Sequence, residues 1–155
     1  MDELRSAALD GSIEELIDWR PVAAGDFIFV PSGTIHAIGA GISLLEFQQN
    51  SDVTYRLYDY GRPRELHLDE AINVAKAEPF PGRLVQSIRG KDQAMLVEGP
   101  HLRLMLTVTD VMKDLQRWVM PLAGEAAGQC FLLEPGEALE PLGVQMLIGA
   151  SSEHP

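Results

Sequence analysis

Short apolar runs separated by turn residues occupy most of the chain and predict a mainly β protein. Before residue 79, the β-prone run Phe27–Val30 lies between the turn signals Gly25-Asp26 and Pro31-Ser32-Gly33, and the aliphatic segment Ile42–Phe47 follows a glycine-rich turn. Ile42–Phe47 is apolar enough to predict a strand that is buried on both sides. Beyond residue 79, further runs recur about every eight to twelve residues, at Leu84–Ile88, Ala94–Glu98, Leu102–Thr109, Gln116–Pro121, Cys130–Leu133 and Val144–Ile148.

Three stretches predict helices instead. Asp2–Ala8 has an acidic first turn, and Ser12–Trp19 carries Ser12 and Glu15 at the spacing of a capping box. Leu68–Ala77 has the composition and apolar spacing of a helix that connects two β-rich regions.

The best internal boundary is Glu78–Gly82, where two prolines and a glycine stand close together. It predicts a first region, residues 1–78, with helices and the first strands. A second β-rich region, residues 79–150, follows, and residues 151–155 are expected to form a disordered tail.

Length and charge exclude several classes of protein. A chain of 155 residues buries one sizeable core or two small ones. The formal net charge of −11 repels polyanions, so nucleic-acid binding is disfavoured, although local arginines still allow a small phosphorylated ligand. No apolar run reaches the ~18 residues of a membrane span.

The single cysteine, Cys130, excludes an intrachain disulfide and fits a reducing compartment. Its apolar neighbours predict that it fills a buried position. Residues Met1-Asp2-Glu3-Leu4 are acidic where a signal peptide would be basic, so a cytoplasmic location is expected.

Candidate chemistry centres on His36, which shares strand parity with Thr34. A lone histidine on a strand is more often a satisfied core residue than a metal ligand, and the residues alone leave both readings open. Glu46 and Gln48 share parity on the next predicted strand, where they either face the same interior or fix the end of the sheet by hydrogen bonds.

The spacing of Gly25, Pro31, Gly33 and His36 resembles the second motif of the cupin superfamily, with Ala40 at a position where that motif usually has asparagine. Longer strings resemble the C-terminal portion of bacterial type I mannose-6-phosphate isomerase. They are PSGTIHAIGAG (residues 31–41), EFQQNSDVTYR (46–56), YDY (58–60) and RELH (64–67).

The resemblance implies a mainly β fold with an incomplete cupin-like first barrel and short N-terminal helices. A connecting helix and a second, degenerate cupin-like β-region without its own metal would follow. It implies His36 as a zinc ligand, with Glu46 as a candidate further ligand. The family's remaining ligands come from sequence upstream of the motif, so the expected zinc site is incomplete.

The resemblance also implies the interconversion of mannose 6-phosphate and fructose 6-phosphate. Arg56 would be the catalytic arginine and bind substrate, and Arg64 would help to bind the substrate, because an enediolate and a phosphate both need fixed positive charge. The alternative for Arg56 is a salt bridge with Asp52 or Asp59, and for Arg62 and Arg64 a solvated loop.

The sequence therefore leaves three candidate functions. The first is a truncated, zinc-dependent mannose-6-phosphate isomerase chain of doubtful activity on its own. The second is a non-catalytic cupin-like module for sugar-phosphate binding or assembly, and the third is a metal-free structural barrel. An open barrel edge exposes unpaired backbone, so we expect a homodimer or a heteromer that covers it.

Overall fold

The computed structural model describes residues 2–48, 51, 53–139 and 143–152, and over these residues the chain is mainly β, as predicted. Seven strands within the described residues form two antiparallel sheets that stay open and do not close into a barrel. The strands are β1 (Asp26–Ile28), β2 (Val85–Ser87), β3 (Ala94–Glu98), β4 (Leu102–Thr107), β5 (Arg117–Pro121), β6 (Phe131–Leu133) and β7 (Met146–Ser151).

Two α-helices and two 3-10 helices complete the regular structure of the described residues. They are α1 (Asp2–Asp10), α2 (Leu68–Val74) and the 3-10 helices Ser12–Leu16 and Gly82–Leu84. None of the helices in this described part has the length and apolar character needed to cross a membrane.

The chain divides into two compact units. The first contains the residues up to Val22, Val30–Leu45 and the segment that ends at Gly82. The second contains Ala23–Phe29, the residues around Phe47 and the chain from Arg83 onward. Ala23–Phe29 belongs to the second unit, because β1 pairs with β2. The domain boundary at Glu78–Gly82 stays a prediction.

The first unit has a small core at its helical end. Ala7 and Ala8 of α1 and Ile13 of the following 3-10 helix are buried there. Four partly buried side chains pack against them: Leu4, Leu57, Tyr58 and Leu68. The acidic residues Asp2 and Glu3 stand in the first turn of α1, where they complement the helix dipole.

The predicted capping box at Ser12 is wrong. Gly11 precedes the 3-10 helix with a left-handed φ of 87°, and no side chain caps that helix. Asp10 instead accepts hydrogen bonds from both the backbone N–H and the hydroxyl of Ser12, at 2.9 and 2.6 Å. The helix is a short 3-10 helix that ends at Leu16, where Ile17 takes an extended conformation, so it does not reach Trp19.

The predicted buried strand Ile42–Phe47 is also wrong. These residues form no strand, and Ile42, Leu44 and Leu45 are 43–50% exposed. Thr34 and His36, for which strand parity was expected, lie in no strand, and Thr34 forms only an isolated bridge with Lys76. An apolar run becomes a strand only when a neighbouring backbone pairs with it, and no described segment does so here.

The second unit is built on a five-stranded sheet in the order β3-β4-β7-β5-β6. Strand β7 lies at its centre and pairs with β4 and β5. One face carries a buried cluster around Leu104, Leu106 and Leu147, against which Phe27 and Phe47 pack. The opposite face carries Val119, Met146 and Ile148. Both faces of β7 are therefore buried, which explains its uninterrupted apolar sequence.

Two predictions at the end of the chain need correction. Cys130 is exposed, not buried, because it stands just before the short edge strand β6. Ser151 was placed in a disordered tail, but it ends β7 and pairs with Leu102. Residues 153–155 of that predicted tail lie outside the described residues.

A buried ion pair joins two loops of the second unit. The guanidinium of Arg117 is fully buried and donates to both carboxylate oxygens of Asp110, at 3.0 and 2.8 Å. It also donates to the carbonyl of Glu137 at 2.7 Å, and Asp110 accepts a further bond from the N–H of Leu139. The pair therefore ties the loop before β5 to the segment after β6.

Candidate functional site

His36 follows a turn that is anchored on the end of helix α2. The carbonyl of Gly33 accepts a hydrogen bond from the N–H of Lys76 at 2.9 Å. Gly33 has a φ of +83°, and a β-carbon there would lie 2.5 Å from the carbonyl oxygen of Val74. Only glycine fits this close approach, so the Pro31-Ser32-Gly33 sequence fixes where His36 leaves the turn.

The imidazole of His36 is exposed and is oriented by its own turn. Its Nδ1 lies 2.9 Å from the carbonyl oxygen of Thr34. A carbonyl only accepts, so Nδ1 carries the proton of this hydrogen bond, and the nitrogen left to face other groups is Nε2. An imidazole held by a backbone carbonyl in this way has the arrangement typical of a metal-ligating histidine.

Arg56 and His67 form a clasp between two segments of the first unit. The N–H of Arg56 donates to Nδ1 of His67 at 3.1 Å, and the N–H of His67 donates to the carbonyl of Arg56 at 2.8 Å. The Arg56 side chain donates to the carbonyl of Glu65 at 3.0 Å. Arg56 is half-buried, and its guanidinium is held by the Glu65 carbonyl while several of its donors stay available for an anion.

Asp59 is the buried charge of this region and binds two arginines. Its carboxylate accepts a 2.6 Å hydrogen bond from Nε of Arg64, which also pairs with it through Nη2, and it lies 2.9 Å from Nη2 of Arg62. The hydrogen bond from Arg64 holds the pKa of Asp59 below its ordinary value of 3.8, and the charges of Arg62, Arg64 and Arg56 act in the same direction. The same bond raises the pKa of Arg64.

These contacts show which groups the arginines pair with, while their roles in catalysis and substrate binding stay predictions. Arg62 and Arg64 are half exposed, yet both are ordered by Asp59 and are not simply solvated. Arg56 makes no ion pair with Asp59 among the described contacts, although its charge acts on that carboxylate. The other suggested partner, Asp52, lies outside the described residues.

Lowering the pH will destabilise the fold around Asp59, because the pKa of Asp59 is lowered in the folded chain. The stabilisation is complete above the ordinary pKa of the carboxyl group and is lost as the pH falls through the lower folded value. We expect the urea midpoint of unfolding to be lower at about pH 3 than at about pH 7. Asp59→Asn should reduce the difference between these two midpoints. Asp18→Asn, at an exposed ion pair with Arg20, is the control, and an equal effect of both variants would contradict the role of Asp59.

The described residues do not assemble a complete metal site. Glu46 and Gln48 are exposed, and no three His, Cys, Asp or Glu side chains in the described ranges come together as metal ligands. Zinc sites use three or four protein ligands. This set of residues therefore does not by itself fit zinc.

Asp59 and His67 make more of the hydrogen bonds and ion pairs in this region than the sequence indicated. In the sequence, Asp59 is indicated only as a possible partner for Arg56, and His67 only as the last residue of the string RELH. A lone carboxylate among closely spaced arginines was the signal that pointed to Asp59, because a buried charge must be paired.

The chain resembles known mannose-6-phosphate isomerases over part of its length. It is 44% identical over 109 residues to a mannose-6-phosphate isomerase of Streptococcus mutans, a match that covers 64% of this chain and 34% of that protein. It is 50% identical over 88 residues to mannose-6-phosphate isomerase ManA of Bacillus subtilis, over 53% of this chain and 28% of the relative. A putative mannose-6-phosphate isomerase of the same bacterium is 42% identical over 95 residues.

The other two comparisons gave no match. No protein-family model matches the chain. No solved structure matches it. The chain spans about a third or less of the length of the curated relatives it matches, a share consistent with the expected C-terminal portion. Over its matched residues, this chain is similar to a minor part of bacterial mannose-6-phosphate isomerases.

Proposed function

We propose that this chain forms part of a zinc-dependent mannose-6-phosphate isomerase, which interconverts mannose 6-phosphate and fructose 6-phosphate in the cytoplasm. The observation that carries the proposal is the His36 ring, held through Nδ1 by the Thr34 carbonyl with Nε2 directed away from it. The ring lies in the segment for which the family resemblance implies a zinc ligand. The names of the similar proteins support the reaction and its sugar-phosphate substrate.

In this proposal each residue has a separate task. His36 supplies one zinc ligand through Nε2, with Glu46 as a candidate second ligand, and zinc would polarise the sugar oxygens when bound. Arg56 stabilises the negative charge of the enediolate, because its guanidinium is permanently charged and is held by the Glu65 carbonyl. Arg64 adds positive charge for the phosphate, reduced by its pairing with Asp59.

The chain alone is expected to be a poor catalyst, because the described residues do not complete a zinc site. We therefore propose that it acts as one part of a dimer or a heteromer in which other residues supply the missing ligands. The single cysteine supports a reducing, cytoplasmic setting.

Metal binding tests the role of His36. We expect His36→Ala to weaken zinc binding at least roughly tenfold, measured by competition with a chromophoric chelator on the assembled protein. His101→Ala, in the second unit, should leave zinc affinity unchanged. Equal zinc affinity of wild-type and His36→Ala protein would contradict the assignment.

A second candidate is a non-catalytic module that binds a sugar phosphate or assists assembly. It is favoured by the absence of three metal-ligand side chains in one place within the described ranges. In that case the assembled protein would bind mannose 6-phosphate in a calorimetric titration but would show no isomerisation in a coupled assay.

A further inference from the structure

Arg56 is hydrogen-bonded three times to the short segment 65–67, and the side chain of His67 makes one of these bonds. In the clasp, Nδ1 of His67 accepts from the N–H of Arg56 at 3.1 Å, and the N–H of His67 donates to the Arg56 carbonyl at 2.8 Å. The guanidinium of Arg56 donates to the carbonyl of Glu65 at 3.0 Å. The same segment therefore holds the backbone of Arg56 at one point and its side chain at another.

The imidazole of His67 is the side-chain part of this arrangement. The N–H of Arg56 is part-buried, and a donor of this kind loses free energy when it has no acceptor. Without Nδ1, the bond between the His67 N–H and the Arg56 carbonyl alone would keep the two backbones in register among the described contacts. Because Glu65 lies two residues before His67, the register also decides whether its carbonyl meets the guanidinium.

The orientation of His67 is set by the helix that follows it. His67 is the N-cap residue of α2, and its carbonyl accepts the hydrogen bond from the N–H of Ala71 at 2.8 Å. The ring also lies near Tyr55, with ring centroids 6.2 Å apart at a tilt of 59°. Contacts on two sides therefore limit the direction in which Nδ1 points.

The other end of α2 holds the turn that precedes His36. The N–H of Lys76, two residues beyond the end of α2, donates to the carbonyl of Gly33 at 2.9 Å. Helix α2 has seven residues, which rise about 10 Å along its axis. This helix is a spacer between the segment that holds Arg56 and the turn before His36, all within the first unit.

We propose that His67 is a positioning residue for Arg56. Its Nδ1 accepts the Arg56 N–H, which keeps the Glu65 carbonyl against the guanidinium, and α2 fixes this arrangement relative to the turn before His36. The inference rests on the proposed function and goes beyond it, since it assigns tasks to His67, to the Glu65 carbonyl and to α2. A guanidinium already in place needs no reorganisation when negative charge develops on the substrate.

Two substitutions at His67 test the positioning role in this chain alone. His67→Leu has no acceptor for the Arg56 N–H, whereas His67→Asn offers Oδ1 at the same number of bonds from the backbone as Nδ1. Nitrogen relaxation measures the order parameter of the Nε–H bond of Arg56. We expect His67→Leu to lower it to a flexible value, below about 0.6, and His67→Asn to restore most of the order.

A hydrogen bond elsewhere in the same segment supplies the control. Tyr58→Phe removes the bond from the Tyr58 hydroxyl to Glu14, which is 2.8 Å long, and leaves the clasp untouched. This variant should keep the Arg56 side chain ordered, and circular dichroism checks that every variant retains its secondary structure. An Arg56 side chain that stays ordered in folded His67→Leu protein would overturn the positioning role.

Kinetics of the assembled isomerase, this chain with the portion of Bacillus subtilis ManA that it does not match, tests whether His67 acts through Arg56. We expect His67→Leu to lower kcat about three- to tenfold with little change in KM, the usual effect of losing one hydrogen bond. His67→Asn should recover most of kcat. In an Arg56→Met background, His67→Leu should cause no further loss, and an equal loss in both backgrounds would overturn the proposal.

The two kinds of measurement keep this proposal apart from the proposed function. If the order of the Arg56 side chain depends on His67 but the wild-type assembly does not isomerise mannose 6-phosphate, the positioning role holds and the proposed function is wrong. If the wild-type assembly is active and His67→Leu changes neither the order nor kcat, the function holds and the positioning role is wrong.

Discussion

Replacing Arg117 with methionine will lower the free energy of unfolding by about 3–5 kcal/mol, because the change leaves the Asp110 carboxylate buried without its ionic partner. The Arg117 side chain is fully buried and Asp110 is only 6% exposed. The substitution also removes the donor to the Glu137 carbonyl, so the segment after β6 loses its tie to β5. Urea unfolding followed by circular dichroism measures the effect.

Two further variants make this result specific. Arg83→Met, at an exposed arginine, should change the free energy of unfolding by less than about 0.5 kcal/mol. Adding Asp110→Leu to Arg117→Met should recover part of the loss, since the orphaned charge is then gone. A loss below about 1 kcal/mol for Arg117→Met would show that the pair contributes like an ordinary surface salt bridge.

Replacing Arg56 with methionine will reduce kcat of the assembled isomerase by about 10²–10³-fold, the usual cost of removing one donor that stabilises an oxyanion. The physical reason is that the guanidinium is held by the Glu65 carbonyl, so it needs no reorganisation as charge develops on the substrate. The clasp with His67 uses only the Arg56 backbone, so the substitution leaves that hydrogen bond in place. Steady-state kinetics in a coupled assay measures the effect.

Controls separate a catalytic role from a structural one. Arg56→Lys keeps the charge but loses the fork of donors, so it should recover only part of the activity. Arg20→Met removes an arginine from the exposed pair with Asp18 and should leave kcat unchanged. If Arg56→Met raised KM with kcat unchanged, the arginine would serve binding alone and the proposed role in stabilising the enediolate would be wrong.

The strands of the second half could be predicted because each apolar run has its pairing partner within the chain. Ala94–Glu98 matches β3 in both bounds, and Gln116–Pro121 differs from β5 by one residue. The exception is β7, predicted at Val144–Ile148 and observed at Met146–Ser151. Its position is set by pairing with β4 as far as Leu102, which a sequence pattern does not contain.

The first half was harder to predict because its strongest strand signal lacks a partner in the described residues. Ile42–Phe47 has the composition of a buried strand, but composition does not supply a neighbouring backbone. The capping box at Ser12 failed for a local reason, since Asp10 competes for the Ser12 hydroxyl and N–H. Neither error comes from hydrophobic periodicity; both come from hydrogen bonding that the pattern leaves open.

The sequence motifs name the candidate site residues, but not the contacts that hold them, and the roles of these residues stay predictions. His36, Arg56 and Arg64 were named from their motifs, and the structure adds the carbonyl of Thr34, the clasp at His67 and the buried Asp59. The buried ion pair of Arg117 was not predicted. An arginine inside an apolar run could have indicated it, because charged residues are almost never fully buried unless they are paired.

The most direct test is a coupled assay for conversion of mannose 6-phosphate to fructose 6-phosphate. It compares three samples: this chain alone, the portion of Bacillus subtilis ManA that this chain does not match, and the two polypeptides purified together with zinc. We predict isomerisation by the combination and little or none by either polypeptide alone. A stable, zinc-loaded one-to-one complex that fails to isomerise mannose 6-phosphate would contradict the assignment of this chain to an isomerase.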